Sequence, residues 1–205
     1  MKPAERMGEN MKNMTLTNIA RACNGRLLYP AENSRKETEH AEAVGVVIDS
    51  RKAGENFIFV ATKGERVDGH RFIPDVFAKG ALGVVCEKEP ESLPGPCIVV
   101  EDSFEALKQI GEFYRQQLPV KVVGITGSVG KTSTKEFVAA VLAMKYKVHK
   151  TLGNYNNEVG VPLTVLSMPE DTEVAVLEMG INHFGEMHNL SRIARPDICI
   201  MTNIG

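Results

Sequence analysis

No run in the 205-residue chain approaches the ~18–20 consecutive apolar residues that a bilayer-spanning helix needs, so no membrane span is expected. Nor is there an excess of one charge. Twenty-four basic against 26 acidic side chains leave a formal net charge of −2, without the basic excess of a dedicated nucleic-acid binder. The four cysteines, Cys23, Cys86, Cys97 and Cys199, form no CxxC pair, which argues against a zinc site or a disulfide framework and for a reducing compartment. The N-terminal run MKPAERMGENMKNM is polar and has no hydrophobic centre, so it does not read as a secretory signal, and a cytoplasmic location is expected. Its four methionines offer more than one start, and residues 1–13 are expected to be disordered. There is no internal repeat or low-complexity tract. What remains, 43% hydrophobic and 24% charged, is ordinary globular composition with enough chain for a core.

Residues 15–28 predict a short helix, capped by Thr15 or Thr17 and stopped near Asn24-Gly25. The polar stretch 30–42 has the composition of a loop. Val44–Ile48, Phe57–Ala61, Leu82–Cys86 and Cys97–Val100 are short, β-branched or aromatic, and bounded by turn residues, as strands are. Residues 70–80 carry Phe72, Ile73, Val76 and Phe77 at helical spacing and stop at Gly80. Asp102-Ser-Phe-Glu105 has the form of a capping box ahead of a helix to Gln117. Leu118-Pro119 then makes the expected boundary between domains 1–118 and 119–205.

Beyond Pro119 strands and helices alternate. Strands are expected at Lys121–Thr126, Val174–Glu178 and Ile198–Asn203, with helices at Thr132–Met144 and Gly185–Ala194. Phe137, Val138, Val141 and Leu142 are assigned to the apolar face of the first helix. Continuous apolar strands alternating with helices imply a parallel sheet covered on both faces. The expected fold is therefore α/β, a small mixed N-terminal domain followed by a P-loop-type parallel-sheet domain.

The strongest chemical signal is Gly124-Ile-Thr-Gly127-Ser-Val-Gly130-Lys131-Thr132-Ser133, a strand, a glycine turn and Lys-Thr at a helix start. Glycines let backbone N–H groups converge on phosphate oxygens, and the helix N-terminus adds partial positive charge. Lys131 would neutralise β- and γ-phosphates and the Thr132 hydroxyl would coordinate Mg²⁺. The standard GxxxxGK[ST] pattern wants Gly at 125, where this chain has Ile, so Gly124 stands one residue early. Glu178 ends a strand on the edge where open α/β sheets bind ligands, and could hold Mg²⁺ through oxygen. His183 follows at a turn as a candidate metal or phosphate contact. Residues 153–164, rich in Asn and Gly, read as a shaped loop whose amides meet phosphates or substrate hydroxyls, or as a plain surface turn.

Together TGSVGKTS, GNYNNEVGVPLT and LEMGINHFGEM resemble the Mur ligase family, including its shifted P-loop. Asp49-Ser50-Arg51, Gly54, Phe57–Ala61, Gly64-Glu-Arg66 and Asp68-Gly-His70-Arg-Phe72 are similar to that family's domain for a UDP-sugar peptide. The resemblance covers roughly residues 14–205. It implies an ATP- and Mg²⁺-dependent ligase of peptidoglycan synthesis, and with it a part in cell shape and division. Its substrates would be UDP-N-acetylmuramoyl-tripeptide and D-alanyl-D-alanine, joined through an acyl phosphate by a monomer when full length. By motif, Thr126, Gly127, Ser128, Val129, Gly130, Lys131, Thr132, Ser133 and Asn157 would bind ATP. Lys131 and Glu178 would be catalytic, and Thr132 and Glu178, with His183, would meet the metal. Ser50, Arg51, Asp68 and His70 would hold the UDP precursor. Members have three domains, so this chain is expected to be an inactive N-terminal fragment. A non-catalytic precursor-binding module and an unrelated P-loop NTPase or kinase are the alternatives.

Overall fold

The computed structural model describes residues 10–31, 35–36, 38–64 and 67–204. The expectation of disorder for residues 1–9 lies outside them, as do Glu65 and Arg66 of the resemblance. Residues 10–13 are tied down, with Met11 fully buried and its N–H donating to the Ala43 carbonyl at 2.7 Å. The contacts divide the chain into compact units at Met1–Ile110 and Gly111–Gly205.

In the first unit α1 (Leu16–Ala22) starts at Thr15, whose hydroxyl accepts from the Asn18 N–H at 3.3 Å. It stops where expected, at Asn24 in the left-handed region. The end of the same stretch, Arg26–Leu28, is a strand, β1. With β2 (Gly45–Val47), β3 (Phe57–Val60), β4 (Gly83–Cys86) and β5 (Cys97–Val99) it builds a sheet of order β1-β5-β4-β3-β2. All pairs are parallel except β1 with β5. Residues alternate across a strand. Thus Phe59, Val84 and Cys97 share a cluster with Ile73 and Val76 of α2 (Ile73–Ala78), while Gly83 admits Leu16 of α1 against its Cα. A 3₁₀ turn, Gly69–Phe72, precedes α2, and Gly80 ends it with φ of 87°.

Helix α3 (Ser103–Gln117) opens on Asp102, whose Oδ1 accepts from the N–H groups of Phe104 (2.8 Å) and Glu105 (2.9 Å). The division between the units falls inside this helix rather than at Leu118-Pro119. In the second unit Arg115, 6% exposed, donates to the carbonyls of Leu118, Val120, Ala194 and Arg195, so one guanidinium closes several element ends at once.

The second unit holds β6 (Lys121–Thr126), β7 (Val148–Lys150), β8 (Val174–Glu178) and β9 (Ile198–Met201), all parallel in the order β7-β8-β6-β9. Helices α4 (Lys131–Leu142), α5 (Gly160–Leu166) and α6 (Glu186–Ala194) complete it. Two elements were not expected. β7 is three residues long with two polar side chains, too short to show a pattern. α5 begins inside the Asn/Gly-rich stretch because Asn157 Oδ1 accepts from the Val159 and Gly160 N–H groups. Pro162 lies in its first turn, where the missing N–H costs nothing.

The apolar face assigned to α4 is also corrected. Phe137 and Val141 are 75% and 71% exposed, while Val138, Ala139 and Leu142 pack on Val123, Ile125 and Val176, and Lys135 is buried beside them. The helix turns its 135/138/139/142 stripe inward, where Val138, Ala139 and Leu142 bury apolar surface and Lys135 finds carboxylate partners. Cover of the sheet on both faces does not extend to β9, where Ile198 and Met201 are 59% and 61% exposed. Among the described residues no helix is long and apolar enough to cross a membrane.

Candidate active site

The loop between β6 and α4 explains the shifted glycine pattern. Gly124 lies inside β6, where a Cβ would collide with Met179, so it is a packing glycine rather than a loop glycine. The turn is made by Gly127 and Gly130, with φ of 130° and 87°, values that favour glycine. Thr202, following β9, fastens it from below. Its hydroxyl donates to the Val129 carbonyl at 2.6 Å, and the Ser128 N–H donates to the Asn203 carbonyl at 3.0 Å.

Ser128, Val129, Gly130, Lys131, Thr132, Ser133, Asn156 and Glu178 line a cleft of about 410 Å³ at this loop. The Lys131 ammonium rests on carbonyls of its own loop, donating to Gly127 at 2.6 Å and Ser128 at 3.3 Å. Glu178, 2% exposed at the end of β8, accepts from the Thr132 hydroxyl at 3.0 and 3.2 Å and from the Asn156 amide at 2.8 Å. Its own N–H donates to the Thr151 hydroxyl at 2.9 Å, which fixes the strand end. Gly180 leaves room for the Asn156 amide that a Cβ would crowd.

A threonine hydroxyl and a carboxylate are hard oxygen donors, and the pair fits Mg²⁺, which takes one or two protein ligands and fills the rest with phosphate and water. Among the described residues there is no cluster of three or more His, Cys, Asp or Glu to cage a metal without a nucleotide.

The other expected site residues fall outside the cleft lining. Thr126 and Gly127 contribute carbonyls to the loop's own bonds. Asn157 caps α5, and its neighbour Asn156 is the asparagine that meets Glu178. The His183 side chain is 81% exposed and bonds Glu186 at 2.9 Å. The Asn182 N–H and then His183 hold the Glu186 carboxyl down to about 2.

In the first unit Arg51, with its side chain 87% exposed, forks onto Asp49 at 2.9 and 2.7 Å, lowering the Asp49 carboxyl to about 2. The Ser50 carbonyl accepts from Lys79 at 2.7 Å. Asp68 and His70 are built into the scaffold. Asp68 caps the 3₁₀ turn and meets His70 Nδ1 at 2.6 Å, while His70 Nε2 accepts from the Glu87 N–H at 2.9 Å. The Glu87 carboxylate in turn receives the Ser103 N–H at the start of α3. An Nε2 that accepts from a backbone amide requires the proton on Nδ1, so this imidazole is occupied on both sides.

The model of the Mur ligase family catalytic domain matches residues 42–127, and that of the Mur ligase middle domain matches residues 125–205. The chain belongs to the Mur ligase family. It is similar to the UDP-N-acetylmuramoyl-tripeptide–D-alanyl-D-alanine ligase of Bacillus subtilis, 45% identical over 196 residues, which cover 93% of this chain and 41% of the relative. The ligase of the same name from Escherichia coli is 39% identical over 159 residues, 78% of this chain and 35% of the relative. Among solved structures, MurF from Acinetobacter baumannii aligns with a TM-score of 0.84 at 33% identity, covering 96% of this chain and 42% of that one. The Thermotoga maritima MurF ligase in complex with ADP aligns with a TM-score of 0.73 at 37% identity, covering 78% and 38%. This Mur ligase chain thus spans about two fifths of the relatives' length. Its α/β fold with parallel sheets is the fold of those neighbours.

Three members of the cleft's polar cluster escaped the sequence: Asn156, Thr151 and Lys135. Asn156 is the direct neighbour of Asn157, which the motif indicates, whereas Thr151 and Lys135 carry no motif and are assembled only by the sheet.

Proposed function

We propose that these residues supply the precursor- and ATP-binding parts of a ligase that joins D-alanyl-D-alanine to UDP-N-acetylmuramoyl-tripeptide in cytoplasmic peptidoglycan precursor synthesis. The observation that carries the proposal is the Thr132–Glu178 contact beside Lys131 at the mouth of the glycine loop. The relatives' names supply the substrates, and the ADP complex of the Thermotoga relative supports the nucleotide.

In this reading the loop N–H groups and the α4 N-terminus receive the ATP phosphates. Lys131 leaves its carbonyls for the β- and γ-phosphates, so its charge stands where charge develops during transfer. Thr132 and Glu178 would hold Mg²⁺, which supplies Lewis-acid neutralisation of the phosphoryl oxygens. The terminal carboxylate of the nucleotide-linked peptide attacks the γ-phosphorus, releasing ADP and forming an acyl phosphate. The amine of D-alanyl-D-alanine then displaces phosphate through a tetrahedral state. Ser50 and Arg51, with Asp68 and His70, would hold the UDP precursor on the first unit. More than half of each relative lies outside the matched span, so these 205 residues alone are proposed to bind without turnover.

Calorimetric titration with ATP and Mg²⁺, and separately with UDP-N-acetylmuramoyl-tripeptide, tests the reading. Binding of both supports it. Binding of ATP alone would remove the precursor from the reading, and binding of the precursor alone would favour a non-catalytic module. UDP-pentapeptide formed by the 205 residues at the rate of a full-length relative would overturn the proposed lack of turnover.

A further inference from the structure

Lys135 is a charged residue on the inward face of α4, one turn beyond Lys131, with a side chain only 1% exposed. Its ammonium stands 3.3 Å from Glu136 Oε1 and 3.7 Å from Glu178 Oε2, the latter an ion-pair separation rather than a hydrogen bond. Glu136, half-exposed, also receives the ammonium of Lys150 from β7. The four side chains form a row of alternating sign, Lys150, Glu136, Lys135 and Glu178, running from the surface to the cleft. A lysine buried to this degree persists only with its charge compensated. Here one of the two compensating carboxylates is the one offered to a cation.

We propose that Lys135 is an internal counter-ion for Glu178, a positioning residue that makes divalent-cation binding depend on the nucleotide. The inference rests on Thr132 and Glu178 being cation ligands, as in the proposed function. The row sums to zero charge. A divalent ion entering alone therefore finds Glu178 already neutralised and Lys131 close by to repel it. An ion entering on a polyphosphate brings its own anion, and Glu178 and Thr132 then complete its shell. Lys135 touches neither phosphate nor cation. It acts through Glu178, holding the carboxylate in place and discounting its charge.

Lys135, beside Glu178, and Glu136, the next residue along this row, predict opposite effects, which a merely structural lysine would not produce. The probe is Mn²⁺, with free ion followed by electron paramagnetic resonance in the full 205-residue chain, first without nucleotide and then with ATP. Lys135→Met removes the counter-ion and should tighten nucleotide-free Mn²⁺ binding fivefold or more. Glu136→Gln leaves the Lys135 charge to Glu178 alone and should weaken it at least twofold. Lys135→Arg keeps the charge and should stay within twofold of the parent. Glu136 is half-exposed, so its variant carries the test if Lys135→Met does not fold by circular dichroism. Unchanged Mn²⁺ affinity in both folded variants, or a shift of the same sign in both, overturns the inference. If the parent binds ATP with Mn²⁺ while the variants show no shift, only the Lys135 inference fails. A parent that binds no ATP with Mn²⁺ overturns the ligase reading, and this inference with it.

Discussion

The hydroxyl of Thr132 lies 3.0 Å from Oε2 of Glu178, a residue 46 positions away in sequence, and it donates to that carboxylate. The first comes from the opening turn of α4, directly after the phosphate loop, the second from the end of the neighbouring strand. Without a cation the two oxygens share a proton. With one they would share the ion.

Thr132→Val removes that donor and leaves a buried carboxylate with fewer partners, a loss of about 1–3 kcal/mol in stability. The Mg²⁺ dependence of ATP binding should weaken tenfold or more, read from ATP titrations at stepped Mg²⁺. Thr132→Ser should restore it. If valine binds Mg²⁺-ATP as the parent does, the hydroxyl is not a cation ligand.

Lys131→Ala should abolish ligation in a full-length ligase carrying these residues while UDP-precursor affinity stays within twofold. Loss of one charged contact to the transferring group raises the barrier by ~3–4 kcal/mol. Turnover and precursor titration measured on the same preparation check both halves, and turnover within threefold of the parent would refute the role.

Arg51→Ala should raise the precursor KM more than it lowers kcat and should leave ATP affinity unchanged. It should also release Asp49. That carboxyl, held near 2 chiefly by the guanidinium hydrogen bond, should climb toward its ordinary value near 3.8, as an NMR pH titration would record. A precursor KM equal to the parent's would place Arg51 outside the binding surface.

His149 on β7 predicts a pH dependence of folding. Burial lowers its pKa below 6.5, and its Nε2 bonds the Thr164 carbonyl at 3.0 Å. The folded state therefore takes up the proton less readily than the unfolded one. The contribution is fully present above pH 6.5 and is lost as pH falls from there through the folded value. The slope is at most about 1.4 kcal/mol per pH unit from this one group. Urea midpoints at pH 7.5, 6.5 and 5.5 should decline for the parent and decline less for His149→Gln. Equal declines would assign the acid sensitivity elsewhere.

Much of this molecule is legible in its sequence where local chemistry decides. Phe57–Val60 and Lys121–Thr126 are strands because apolar, β-branched runs are cut off by turn residues. Asp102 caps α3 because its short carboxylate reaches two open N–H groups. Sequence spacing also names Lys131, Thr132 and Glu178. It falls short where the environment decides. Phe137 and Val141 have the spacing of a core stripe, yet α4 packs its Val138, Ala139 and Leu142 face on the sheet, with Lys135 paired to Glu178 on that side. Asn156 and Asn157 are chemically identical. Only the course of the loop sends one amide to Glu178 and the other to the start of α5. Asp68 and His70 look like a binding pair, yet His70 accepts from the Glu87 N–H, and Glu87, which in turn meets Ser103, comes from a segment that the motif does not contain.

Strand β6 lies between β8 and β9 in its sheet, although it precedes both in the chain. During synthesis it is the first strand of its unit to emerge and, among the described residues, the one with both edges waiting on later segments. Its first partner begins at Val174, so at about 5–20 residues per second it stands unpaired for roughly 3–10 s. The second edge is satisfied only after Ile198. The segment that delivers the phosphate loop is therefore also one that must stay unpaired while it is made, and a slow stretch of translation after Thr126 would prolong its exposure rather than help it fold.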